Sequence, residues 1–149
     1  MRYSAGDLTG AGSTTLPILS IYSGAASLGS IREIGIFNTT ASAVALYLSR
    51  LTTAGTQGAN LTEARHNPKR PAAACTVHGT HTVAPTKGDD LGYRVVLGPA
   101  IGAGVIWTFG DDGLLVTAPD AVEAVTNGIG ILVENGTGQA CQAYIVWDE

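Results

Sequence analysis

Charged residues are scarce in this sequence. Asp, Glu, Lys and Arg together make up 13% of the 149 residues, whereas a typical soluble domain has about 25%. A domain that stands alone in solution normally carries many charges on its exposed face. A surface of Thr, Ser, Ala, Gly and Asn favours a protein that neighbouring molecules cover. The alternative is a monomer that hydroxyl and amide groups keep in solution.

The sequence also lacks a net positive charge and a long apolar run. The net charge of −4 does not suggest a nucleic-acid binder, which is normally basic. The longest apolar candidate, residues 97–109, is interrupted by Pro99 and several glycines, so it falls short of the about 18 residues of a membrane span. The first seven residues have no apolar core of a signal peptide. We therefore expect no membrane or nucleic-acid partner, synthesis in the cytoplasm, and reduced Cys75 and Cys141.

No catalytic set can be assembled from the sequence. A Gly-x-Ser-x-Gly motif is absent, and the glycine-rich segments 98–104 and 128–130 lack the Lys-Ser/Thr that follows a phosphate loop. The acidic pairs 89–90 and 111–112 stand beside glycines and are interpreted as turns rather than as glycosidase or calcium sites. We predict a non-enzymatic protein with no catalytic residue and no cofactor.

Cys75, His78 and His81 are the sharpest candidates for metal ligands, since three good zinc ligands recur at steps of three residues. In a strand, however, Cys75 and His81 share a face while His78 points away. Cys75 and His81 would also lie about 20 Å apart at roughly 3.3 Å per residue. A bend at Gly79 or ligands from a partner subunit would change this geometry. We predict no metal site and interpret the histidines as satisfied or interface residues.

What the sequence does contain is strand-like patterning from end to end. Val44, Leu46 and Leu48 alternate with less apolar residues, which is the two-residue period of a half-buried strand. About eight short strands, separated by turn signals at intervals of roughly 8–12 residues, are typical of a β-sandwich. We predict one domain over residues 1–149, an all-β antiparallel sandwich of jelly-roll type. Three β-hairpins are predicted, around the turns at residues 38–42, 110–113 and 134–138.

Three segments do not fit the strand pattern. Residues 52–74 are rich in Gly, Asn, Pro and Thr, which indicates a functional or interface loop, and a short helix around residues 61–66 could interrupt it. Residues 120–125 form the other helix-like stretch. Residues 1–13 carry glycines at positions 6, 10 and 12 and are predicted to be a flexible or docking arm.

The candidate site is an interaction surface. A loop holds three of the eight basic residues together with a histidine, and we predict that it contacts an acidic protein partner; its residues are Arg65, His66, Lys69 and Arg70. The last strand is apolar on both faces, so Tyr144 and Trp147 are predicted to pack against another subunit. The alternative for the loop is a solvated segment.

Several segments resemble small jelly-roll-like structural proteins of tailed bacteriophages, of the capsid decoration or cement type. They are residues 10–17, 31–35, 51–58, 88–94, 106–110 and 144–149. The likeness spans most of the chain, and its motifs are structural. The resemblance implies a homo-oligomer, with a trimer favoured, that binds the major capsid protein on the virion surface after synthesis in the host cytoplasm.

Two functions follow as expectations. The first is a virion structural protein that decorates the capsid and stabilises the shell. The alternative is a tail or head-fibre component with a carbohydrate- or receptor-binding role, in which exposed Tyr93 or Trp107 could stack on a sugar. That alternative rests on what jelly-roll folds commonly host.

Overall fold

The two-residue period of the sequence becomes a succession of strands in the computed structural model, which describes residues 1–25, 27–117 and 126–149. These residues contain no helix, and none of them could cross a membrane as a long apolar helix. The helix-like stretch 120–125 lies outside the described residues. The strands are β1 (Arg2–Leu8), β2 (Leu19–Tyr22), β3 (Ser30–Asn38), β4 (Val44–Leu51), β5 (Asn60–Leu61), β6 (Ala64–Arg65), β7 (Thr76–His78), β8 (Lys87–Leu97), β9 (Gly104–Thr108), β10 (Leu114–Leu115), β11 (Gly128–Val133) and β12 (Cys141–Asp148).

The strands form two sheets. The first sheet has the order β10-β3-β12-β1-β6, with β9 also paired to β3, and the second has the order β5-β7-β2-β11-β4-β8. Every pairing in both sheets is antiparallel. The predicted all-β sandwich is therefore confirmed. Its jelly-roll connectivity stays a prediction.

The core lies between the sheets and is mainly aliphatic. β11 is buried along its whole length, as expected for a central strand covered on both faces. In β12 alternate residues point inward, and among them Ile145 and Trp147 are almost completely buried. The ring of Trp147 stacks on Tyr3 of β1, with centroids 5.7 Å apart. The two-residue hydrophobic period of the sequence therefore corresponds to the side chains that pack between the sheets.

The three predicted hairpins are wrong. β3 and β4 belong to different sheets, as do β11 and β12, and β9 and β10 both pair with β3 rather than with each other. The turn after β3 shows how the chain crosses between the sheets. The Asn38 side chain donates to the carbonyls of Ser42 (2.7 Å) and Gly98 (3.1 Å) and accepts from the Thr40 N–H (3.0 Å). The turn signal thus predicted where the chain reverses, but it did not predict which sheet the next strand joins.

Two further predictions are corrected in the same part of the molecule. β1 is an inner strand between β12 and β6, so residues 2–8 are not a flexible arm. Gly6 lies opposite Tyr144, and a Cβ at position 6 would come within 2.8 Å of the Tyr144 Cβ, so this glycine permits close approach rather than flexibility. Instead of a short helix, residues 61–66 contain the last residue of β5 and the whole of β6.

The side chain of Glu149 is fixed beside the end of β12. Its carboxylate accepts hydrogen bonds from the backbone N–H groups of Ala74 and Cys75 (both 2.8 Å), from Trp147 Nε1 (2.9 Å) and from Ser27 Oγ (3.1 Å). Burial alone would raise its pKa, but these donors hold the pKa of Glu149 below its ordinary value. The carboxylate therefore ties β12 to the segment that leads into β7.

Candidate docking surface

The predicted basic loop is an exposed, internally bonded turn, and we call residues 65–71 the basic turn. The His66 N–H donates to the carbonyl of Arg2 in β1 (3.1 Å). Asn67 then closes the turn, because its side chain accepts from the Lys69 N–H (3.1 Å) and its carbonyl accepts from the Arg70 N–H (3.1 Å). Asn is favoured at such positions because its side chain mimics a backbone turn. The backbone is thus ordered without a partner.

Two contacts tie the basic turn to the body of the protein. The Tyr3 hydroxyl donates to the carbonyl of Pro71 (3.2 Å), and Tyr3 belongs to the core. Arg65 donates through Nη1 to the carbonyl of Arg70 (2.9 Å) and lies 3.7 Å from the Glu63 carboxylate. A core residue at one end and an arginine across the turn therefore limit its movement.

The charges of Lys69 and Arg70 are free to meet a partner. Both residues are exposed, and neither side chain makes an ion pair with another residue in the described part of the chain. Residues 65–71 carry three positive charges on a molecule whose net charge is −4. The basic turn is therefore a local positive feature on an acidic protein, which favours contact with negatively charged groups.

A groove of about 530 Å³ runs beside the basic turn on the outer face of the first sheet. Strands β1 and β12 form much of its floor, and residues 62–66 form one wall. Its polar lining includes Ser4, Glu33, Thr62, His66 and Tyr144. The structure thus brings together His66 and Tyr144, two residues that were singled out separately in the sequence.

Tyr144 lies flat on the outer face because its neighbours have no side chains. It is paired with Gly6 on β1 and Gly35 on β3, and a Cβ at Gly35 would collide with the Tyr144 ring. The Tyr144 hydroxyl donates to Glu33 Oε1 (2.6 Å). That hydrogen bond, with a smaller contribution from burial, raises the pKa of Tyr144 to about 12. The phenol is therefore a neutral donor held in place at the floor of the groove.

Trp147 is not part of this surface. It was expected to pack against another subunit, but its side chain is 0% exposed and stacks on Tyr3 inside the protomer. The sequence correctly placed Tyr144 and Trp147 on opposite faces of β12. The sequence could not show which of these two side chains points into the core.

The candidate metal ligands do not converge. Within the described residues no three His, Cys, Asp or Glu side chains are grouped so that they could hold an ion. Cys75 is buried beside Glu149, whereas His81 Nε2 lies 2.8 Å from Ser20 Oγ. Burial, together with the nearby His78, lowers the pKa of His81 to about 4. His81 is therefore a neutral core residue at physiological pH.

The aromatic residues named for the alternative function form a cluster where β8 and β9 come close. The Tyr93 ring lies 6.1 Å from that of Trp107 and 5.0 Å from that of Phe109, edge to face in both pairs. Such arrangements are favourable contacts between aromatic rings. Tyr93 and Trp107 therefore pack on each other, and neither is an isolated ring on the surface.

Comparisons of the chain with protein-family models, with curated protein sequences and with solved structures found no match. Sequence reasoning identified the basic residues from their clustering but missed Ser4 and Glu33. These two reach the groove only through strand pairing between distant segments, for which no local signal exists.

Proposed function

We propose that the protein is a virion structural protein that binds the surface of a phage capsid as a decoration or cement protein and stabilises the shell. The observation that carries the proposal is the basic turn, which is ordered, exposed and positively charged beside a groove. The resemblance described above supports the same role. The expected partner is an acidic region of the major capsid protein, and the protein itself would form a homo-oligomer, with the trimer as the state that the resemblance implies.

The mechanism is burial of surface rather than chemistry. Lys69 and Arg70 would attract an acidic partner and orient it, since complementary charges chiefly increase association rate and specificity. The groove would then take an extended part of the partner against Tyr144 and Val146, both of which line it. Because the turn is already held by its own hydrogen bonds, little conformational freedom is lost on docking.

Binding to capsids that lack this protein tests the proposal. Purified protein is mixed with the bare shells, bound protein is quantified by co-sedimentation, and the particles are imaged by cryo-electron microscopy. We expect regular extra density at symmetry-related sites. Lys69→Glu and Arg70→Glu should each weaken binding at least tenfold, and most at low salt.

Lys87→Glu is the matched control, because Lys87 is an exposed lysine on β8, away from the basic turn. This variant has the same charge change as Lys69→Glu and should bind like the wild type. Shells that stay bare with wild-type protein would refute capsid decoration. Wild-type binding by both turn variants would refute the assignment of the docking surface alone.

A second candidate function is favoured by the composition of the groove. The Tyr144 phenol, a carboxylate, an imidazole and two aliphatic hydroxyl groups line it, and protein sites for small polar ligands combine groups of these kinds. A tail or head-fibre component would use such a groove for a carbohydrate receptor. Saturable binding on a glycan panel, lost in Tyr144→Ala and kept in Lys87→Glu, would support this role, and absence of binding across the panel would refute it.

A further inference from the structure

The edges of the two sheets are protected to different degrees. β8, an edge of the second sheet, carries four charged residues and two irregularities in its pairing with β4. β5 and β6 are only two residues long. Charges, bulges and short length are the usual means by which proteins prevent an edge strand from pairing with another chain. β9 has none of these features, since its five residues are uncharged and its pairing with β3 is regular.

The hydrogen bonds at the two ends of β9 show which of its backbone groups are unpaired by β3. The Phe109 N–H donates to the carbonyl of Arg32 (3.1 Å), and the Asn38 N–H donates to the carbonyl of Ala103 (2.7 Å). In an antiparallel pair the residues that bond to the neighbour alternate with residues that do not. Every second residue of β9 therefore directs its N–H and C=O away from β3; these residues are Gly104, Ile106 and Thr108.

These three residues are exposed and are arranged symmetrically about Ile106. A second copy of β9, placed antiparallel on a two-fold axis at Ile106, would pair Gly104 with Thr108 of the other copy and Ile106 with its own equivalent. Three such pairs give about six hydrogen bonds, two for each pair. A two-fold contact requires a self-complementary surface, and this edge meets that requirement.

The absence of charge and the apolar side chains both favour a second copy of the chain as the partner of this edge. Residues 95–110 contain no charged residue, so two copies of this segment can approach without repulsion between like charges. Ile106 is 51% exposed, and cross-strand pairing would cover it with the equivalent isoleucine, a favourable apolar pair. On the inner face Val105 would lie opposite Trp107 of the second copy.

We propose that the protein associates with a second copy of itself through the outer edge of β9, which no strand within residues 1–25, 27–117 and 126–149 pairs. This contact would join the first sheets of the two copies into one continuous sheet. The contact lies at the edge of the first sheet opposite β6 and the basic turn, so it leaves the docking surface open. This two-fold dimer is an alternative to the trimer that the resemblance implies. It does not depend on the capsid role, because self-association is measured with the protein alone.

Sedimentation analysis of the full chain with charge-swap variants tests this contact. We expect wild-type protein at tens of micromolar to have twice the 15.2 kDa mass of one chain. Ile106→Lys and Ile106→Glu should each be monomeric, because on a two-fold axis each new charge meets its own copy. An equimolar mixture of the two variants should recover the dimer, since lysine then faces glutamate.

Val96→Lys is the matched control, because Val96 is 70% exposed and lies on β8; it should keep the wild-type mass. Circular dichroism and thermal melting confirm that each variant is folded. A wild-type monomer at all concentrations, a wild-type trimer, or a mixture that stays monomeric would each overturn the proposal.

Discussion

Two neighbouring regions of the molecule use polar groups in opposite ways. At the end of β12, Trp147 is fully buried and the Glu149 carboxylate accepts four hydrogen bonds. In the basic turn, Lys69 and Arg70 are exposed, and the turn is held mainly by bonds of its backbone. The first region is organised for stability, and the second presents charge at little cost to the fold. Substitutions in the two regions should therefore affect different measurements.

Removal of the Trp147 side chain should give the largest loss of stability. Trp147→Ala leaves a cavity beside Tyr3 and removes their stacking contact, and changes of this kind typically cost about 3–5 kcal/mol. Urea denaturation followed by circular dichroism measures the loss. Tyr144→Ala is the matched control on the outer face of the same strand and should cost clearly less. Equal losses in the two variants would contradict the assignment of Trp147 to the core.

That comparison also shows what the sequence could and could not predict. Alternation along β12 separated Tyr144 from Trp147, because successive side chains of a strand point to opposite faces. The direction of the core depends on the second sheet, which a local pattern does not contain. In the same way, the turn signals near Asn38 located a reversal of the chain but not its passage from one sheet to the other.

The candidate site likewise has one part that the sequence predicted and one part that it did not. The basic turn was predictable because its charges are clustered in sequence. The groove was not, since Ser4, Glu33 and Tyr144 come together only through the pairing of β1, β3 and β12. The hydrogen bonds that Glu149 accepts from distant backbone N–H groups could not be predicted from the sequence either. Composition and periodicity do not predict contacts that depend on the register between strands distant in sequence.

Loss of the Glu149 charge should have an intermediate effect that depends on pH. Glu149→Gln replaces a carboxylate oxygen by a donor that faces other donors, and we expect a loss of about 1–3 kcal/mol at pH 7. The pKa of Glu149 in the folded protein lies below its ordinary value. The charge therefore stabilises the fold at pH values above the unfolded pKa of about 4.3. This stabilisation is lost as the pH falls through the pKa of the folded state. Urea denaturation between pH 7 and pH 3 should show the two proteins converging in acid. A difference that stays constant down to pH 3 would contradict the role of the carboxylate.

Charge reversal in the basic turn should have the smallest effect on stability. Lys69→Glu and Arg70→Glu change exposed side chains. The hydrogen bonds that hold the turn come instead from backbone groups and from the side chains of Asn67, Arg65 and Tyr3. Surface substitutions of this kind usually change the free energy of unfolding by less than about 0.5 kcal/mol. Thermal melting and urea denaturation of both variants should therefore match the wild type. A loss comparable to that of Glu149→Gln would mean that these side chains support the fold, and any defect in capsid binding would then no longer identify a docking surface.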